Sequence, residues 1–140
     1  MKQSEDYSLQ AAAWVNLLVP GRFSEAKAQV AEHCTYDYQN QALRGPDLVQ
    51  AFVESDRKAE EQLDSIEYLR SVPAEFSSAG ALIAVADRLT LNGKNHTYRD
   101  RLLVKMSLGK VVRVEHQPIA EERRRLKEFL ESAGPKLTKP

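Results

Sequence analysis

ALIAVADRLTLNGKNHTYRDRLLVKM, residues Ala81 to Met106, is the stretch whose reading decides the fold. Apolar side chains alternate on both sides of Asn92-Gly93, a pair that tolerates positive φ at each position and so marks a tight hairpin. Ala81, Ile83, Val85, Leu89 and Leu91 share one face with Asp87. Beyond the turn, Tyr98, Leu102, Val104 and Met106 continue that face, together with His96 and Asp100. Two more alternating runs flank the hairpin. In the first, Ile66, Tyr68, Val72 and Phe76 share a face that also carries Arg70. In the second, Val112, Val114 and His116 form the apolar set if the loop at Gly109 has three residues, and a two-residue loop reverses that face.

Helical patterns come before this meander. Tyr7, Ala11, Trp14, Val15 and Leu18 recur at helical spacing until Pro20-Gly21 breaks the pattern, and Ser24 can cap a second helix running to about His33. Cys34 to Gln39 reads as a short strand with Tyr36 and Tyr38 on one face. Gly45-Pro46 then opens a long helix whose side of Leu48, Val49, Phe52, Val53 and Ala59 should lie on the sheet until about Gln62. After Pro118, Glu121 to Ser132 reads as a charged helix with Leu126, Phe129 and Leu130 on one side. The order predicts an α+β fold: a cone-shaped, curved antiparallel sheet packed on a long helix, with N-terminal helices and an extra C-terminal helix. Residues 1–133 are expected to form one domain, and Gly134 to Pro140 a frayed tail.

The 140 residues carry 20 basic and 20 acidic side chains, so net charge offers no reason to bind nucleic acid or an anionic membrane. A single cysteine, Cys34, excludes an internal disulfide and a thiolate zinc cluster within one chain, and the three histidines have no metal-ligand spacing. The apolar stretch Ala11 to Pro20 follows Glu5 and Asp6, is interrupted by Asn16 and lacks a small-residue cleavage site, so it does not read as a signal peptide. No run reaches the roughly eighteen apolar residues of a spanning helix. A cytoplasmic protein without metal or other cofactor is the expectation.

Several local strings, in order, resemble the nuclear transport factor 2-like superfamily in its SnoaL-like and ketosteroid isomerase-like branch. They are Ala13-Trp14-Val15-Asn16-Leu17-Leu18 ending at Gly21, Ala31-Glu32-His33-Cys34-Thr35-Tyr36-Asp37-Tyr38, Leu43-Arg44-Gly45 leading into a helix with Ala51-Phe52, and Gly109-Lys110-Val111-Val112-Arg113-Val114. The resemblance spans about Ala11 to Gln117 and implies a cone with a hydrophobic pocket, commonly in a homodimer. It does not imply steroid isomerisation. The isomerases' carboxylate base falls at Tyr38, their oxyanion tyrosine at Trp14, and their second donor near Leu102 or Leu103.

What remains is a set of polar residues on apolar faces. If Ser77 to Gly80 is a four-residue loop, Phe76 pairs with Ala81, and counting back sets Arg70 opposite Asp87 as an ion pair. That pair either neutralises itself structurally or orients a ligand. A two-residue Asn92-Gly93 turn sets Tyr98 opposite Asp87 and Asp100 opposite Val85, whereas a four-residue loop sets the two aspartates face to face. His116, Asp87 and Asp100 are the candidate acid-base groups. Trp14, Tyr36, Tyr38, Phe52, Tyr68, Arg70 and Tyr98 are the candidate ligand contacts. His96 reads as solvated, and His33 as a helix cap. The partner these residues suit is a small, largely apolar organic molecule, and for an enzyme the chemistry they suit is proton transfer of an isomerase, cyclase or lyase type. The competing reading is a non-enzymatic binding or dimerisation module whose cone is filled by its aromatic side chains.

Overall fold

The computed structural model describes residues 2–38, 41–77 and 80–137. Along the chain run α1 (Lys2–Val15), α2 (Phe23–Ala28), β1 (Val30–Tyr38), β2 (Gln41–Arg44), α3 (Leu48–Gln62), β3 (Ser65–Tyr68), β4 (Val72–Ser77), β5 (Gly80–Leu91), β6 (Lys94–Ser107), β7 (Lys110–His116) and α4 (Ala120–Ala133). The strands form one curved sheet in the order β2-β1-β7-β6-β5-β3, with β4 also paired to β5. The pairings are antiparallel except that β1 runs parallel to β7. This is the α+β architecture that the order of patterns predicts.

The β5–β6 hairpin turns through Asn92 and Gly93, whose φ values are 50° and 80°. Two residues suffice, so Asp87 faces Tyr98 and Val85 faces Asp100. Between β6 and β7 the turn is also two residues, Leu108 and Gly109, with Ser107 opposite Lys110. A bulge follows, because Met106 pairs with Val111 and Lys105 with Arg113, leaving Val112 as the extra residue. The bulge turns Val114 and His116 to the face that a simple two-residue loop would deny them, and Val111 is buried as well.

The long strand expected from Ile66 to Phe76 is broken. Phe76 does pair with Ala81, but β4 carries an extra residue at Ala74, and Leu69 to Ser71 form a link that adds another. Two extra residues shift the register so that Tyr68, not Arg70, lies opposite Asp87. The expected Arg70–Asp87 ion pair is therefore absent, and Arg70 is exposed on the link. The side chain of Asn16 clasps the break: its Nδ2 donates to the Ser71 carbonyl at 3.0 Å, and its Oδ1 accepts the Ser71 N–H at 2.7 Å.

Other departures have equally local causes. The second helix stops at Ala28 because the chain passes there into β1, with Val30 opposite Val111 of β7 and an irregularity before Thr35 meets Arg113. The position before α2 is Arg22, which makes no side-chain cap, so Ser24 does not serve as one. His33 is exposed on β1 rather than capping a helix. His96 is half-buried rather than solvated, stacked on Phe129 of α4 at 5.1 Å between ring centroids. Of the expected tail, residues 134–137 are tied in part to Asn92, whose Nδ2 donates to the carbonyls of Ala133 and Pro135 at 2.9 Å. Residues 138–140 lie outside the described residues. No helix among those described is long and apolar enough to cross a membrane.

Two apolar clusters result. The larger joins Trp14 of α1 and Leu48 of α3 to Ile83, Val104 and Val114 of the sheet, and the smaller joins Leu63, Leu89 and Leu91 to α4 through Leu126, Phe129 and Leu130. Asn16→Ala removes both hydrogen bonds to the buried Ser71 backbone, and is expected to cost about 1–3 kcal/mol of stability, read by urea unfolding.

Candidate functional site

Between the two clusters the concave sheet, α3 and α4 enclose a cavity of about 610 Å³. Its wall is largely apolar, with Leu18, Phe52, Val85, Leu102 and Leu126 among the residues that line it. The described aromatic side chains do not fill the cone. Tyr36 is buried on β1 and stacks on Phe52 of α3, ring centroids 5.0 Å apart and planes 14° from parallel. Sheet and helix thus meet at one wall of the cavity while its centre stays open.

The polar groups enter from the sheet in register. His116 pairs across the ladder with Leu102, and Asp100 lies two residues from Leu102 on the same face. A diagonal contact follows, with His116 Nε2 and Asp100 Oδ2 2.5 Å apart and only 10% and 19% of the two side chains exposed. The other carboxylate oxygen, Asp100 Oδ1, accepts the Arg101 N–H at 2.8 Å. Held this way, the pair can carry a proton at the cavity wall.

Asp87 is bracketed across the sheet by Tyr68 on β3 and Tyr98 on β6. Burial, and then the charge of Asp100, pushes its carboxyl up to about 6. Facing it from α3 is Asp56, pushed up to about 7 by burial first and by Asp87 and Glu60 next. Its Oδ2 is shut off from solvent and has no hydrogen-bond partner among the described residues. Tyr68 donates to Glu60 Oε1 at 3.5 Å, and its hydroxyl is held well above the usual phenol range by burial, with Asp56, Glu60 and Asp87 adding to it.

Of the candidate residues, the structure brings Tyr36, Phe52, Tyr68, Asp87, Tyr98, Asp100 and His116 to this cavity. Trp14 is elsewhere: it is fully buried in the larger cluster, and its indole N–H donates to the Ala26 carbonyl at 3.0 Å. Arg70 points away from the cavity wall as well, since the register shift gives Leu69 and Ser71 the lining positions. The side chain of Tyr38 lies outside the described residues. Asp56 is the group that the strand-centred reading missed. The signal is an acid on an apolar helical stripe, since Leu48, Phe52, Asp56 and Ala59 fall at successive helical turns.

No family model matches the chain, and no curated protein matches it. Solved structures do. A protein assigned as a polyketide cyclase from Pseudomonas putida KT2440 is 16% identical, with a TM-score of 0.59 over 91% of this chain and 98% of that one. An LEH-like epoxide hydrolase of M. tuberculosis is 13% identical, with a TM-score of 0.58 over 91% and 94%. An NTF2-like protein from Exiguobacterium sp. 255-15 is 18% identical, with a TM-score of 0.51 over 82% and 96%. The fold is the nuclear transport factor 2-like one, in agreement with the resemblance drawn from the sequence.

Asp56 and Asp87 hold their protons more tightly folded than unfolded, so the stability they contribute falls as pH rises from about 4 to about 7. Asp56→Asn and Asp87→Asn should each raise stability at about pH 8, by on the order of 1–2 kcal/mol once partial solvent screening is allowed for. At about pH 4 the gain should vanish, and urea unfolding at the two pH values measures both.

Proposed function

We propose that the cavity binds a small, largely apolar organic molecule, and that the protein transfers a proton on it without a cofactor. The observation that carries this reading is the His116–Asp100 contact at 2.5 Å on the wall of an apolar cavity of about 610 Å³. A volume of that size suits a molecule of one to three rings. The imidazole accepts a proton from the substrate, and the Asp100 carboxylate steadies the charge that develops on the ring. Asp87 supplies a second group that changes charge near neutral pH, as a carboxyl raised to about 6 does. Isomerase, cyclase and lyase chemistry all need such a pair of proton-handling groups around an apolar substrate.

The fold-level likeness to a polyketide cyclase and an epoxide hydrolase-like protein agrees with this reading, as does a 14% identical structure, TerC co-crystallised with polyporic acid, with a TM-score of 0.57 over 86% of this chain and 95% of that one. A homodimer in a reducing cytoplasm belongs to the same reading. Its support is the family resemblance and a lone, buried Cys34 whose thiol burial pushes up to about 11.

Exchange of the α-protons of 2-tetralone with solvent deuterium, followed by NMR, tests the reading. The protein should accelerate exchange, and His116→Ala and Asp100→Asn should each slow it by about 10²-fold or more. Exchange at the buffer rate, or acceleration indifferent to both substitutions, refutes it.

A further inference from the structure

The acid-base reading leaves Asp56 without a role, and the cavity has more acid than proton transfer needs. We propose that the molecule the cavity takes carries a protonated amine, seated between Asp56 of α3 and Asp87 of β5 with its apolar body against the cavity wall. The proposal rests on the reading of this cavity as a binding site and names the chemical class that enters it.

Three independent features of the site converge on a cation. First, the carboxyls approach from opposite walls, one from the helix and one from the sheet, and among the described residues no lysine or arginine lies between them. The basic residues at the cavity, Arg123 and Lys127, belong to α4 and are exposed at its mouth beside Glu131. His116 is engaged with Asp100. Second, Asp56 Oδ2 is buried without a hydrogen-bond partner among the described residues, a costly condition that an N–H donor arriving with the ligand removes. An ammonium brings three such donors on one compact charge and can serve both carboxylates together. Third, the register places Asp87 between Tyr68 and Tyr98. A carboxylate with a tyrosine on each neighbouring strand offers a cation Coulomb attraction with aromatic side chains beside it.

The alternative occupants behave differently. A carboxylate ligand would meet Asp56, Asp87 and Asp100 in a low-dielectric space, where like charges repel. A neutral alcohol or carbonyl would be best held by protonated carboxyls and would bind more tightly at low pH. An ammonium instead favours the ionised carboxylates, so its binding releases protons and tightens as pH rises through about 6 and 7. The groups that face Asp56 and Asp87, and so shape this dependence, are Glu60 on α3, Tyr68 on β3, Tyr98 and Asp100 on β6, His116 on β7, and Arg123, Lys127 and Glu131 on α4.

Calorimetric titration with 4-phenylbutylamine, 4-phenylbutanol and 4-phenylbutyrate isolates the head group on a constant apolar body. At about pH 8 the amine should bind about tenfold or more tighter than the alcohol, and the carboxylate should bind weakest. Lowering the pH to about 5.5 should weaken the amine by about tenfold while leaving the alcohol no weaker. Asp56→Asn and Asp87→Asn should each cost the amine about tenfold and change the alcohol by no more than about twofold. Equal binding of amine and alcohol at the higher pH overturns this inference alone and leaves the acid-base reading standing, since that reading is judged by deuterium exchange. Amine binding indifferent to both substitutions overturns it too. Failure of all three compounds to bind overturns it together with the cavity's role as a binding site.

Discussion

The register between β5 and β6 is the constraint on which the rest of the molecule depends. A turn of two residues, Asn92 and Gly93, both at positive φ, leaves no freedom in how the strands meet. A slip of one residue in β6 would turn Tyr98 and Asp100 outward and drive Arg99 and Arg101 into the apolar interior, a cost far above the few kcal/mol by which a domain of this size is stable. β6 then runs on to a second two-residue turn, and the bulge at Val112 beyond it sets His116 beside Asp100. Two tight turns and one bulge therefore decide which titratable groups meet.

Bulges then give the sheet the curvature a cavity needs. The extra residues at Val112, at Ala74 and between Leu69 and Ser71 each bend a strand and reset which side chains face inward. Pro73 sits beside one of them, on a strand that pairs only with β5, where its missing N–H removes no ladder bond from a central strand. The apolar interior divides into two clusters rather than one, with the space between them lined from both sides. The polar groups gather where that space is, largely held away from bulk water. Such an environment raises the carboxyls of Asp56 and Asp87.

Much of this was legible in the sequence, for identifiable reasons. The Asn92-Gly93 signal is strong because few residue pairs tolerate that backbone, and it fixed Tyr98 opposite Asp87. The stripe on α3 and the apolar side of α4 obeyed helical spacing and were readable as such. Arg70 was misplaced because a bulge leaves period-two alternation looking intact while displacing every partner beyond it, and nothing local in Leu69-Arg70-Ser71 announces the clasp from Asn16, 55 residues away. Trp14 reads as a ring available to a ligand, but its N–H is satisfied by the Ala26 carbonyl, a contact formed only once α2 packs back on α1. Val30 to His33 continued a helical pattern and yielded to β1, which meets β7 at Val30 and again from Thr35, since tertiary partners outweigh local propensity. Asp56 escaped notice because an isolated acid on a helix ordinarily faces water.

The helix α4 is fastened at both of its ends. Near its start Glu122, 7% exposed, accepts the Arg99 N–H at 3.0 Å, and past its finish Asn92 grips the carbonyls of Ala133 and Pro135 while Lys94 reaches Ser132. A roof anchored at two points resists lifting, so the chamber beneath it keeps a nearly fixed height whether or not a guest is inside. For the ligand proposed above, shape then acts alongside charge: a molecule too thick is refused at the eaves, and one too thin forfeits contact with Leu126 and Leu130 overhead.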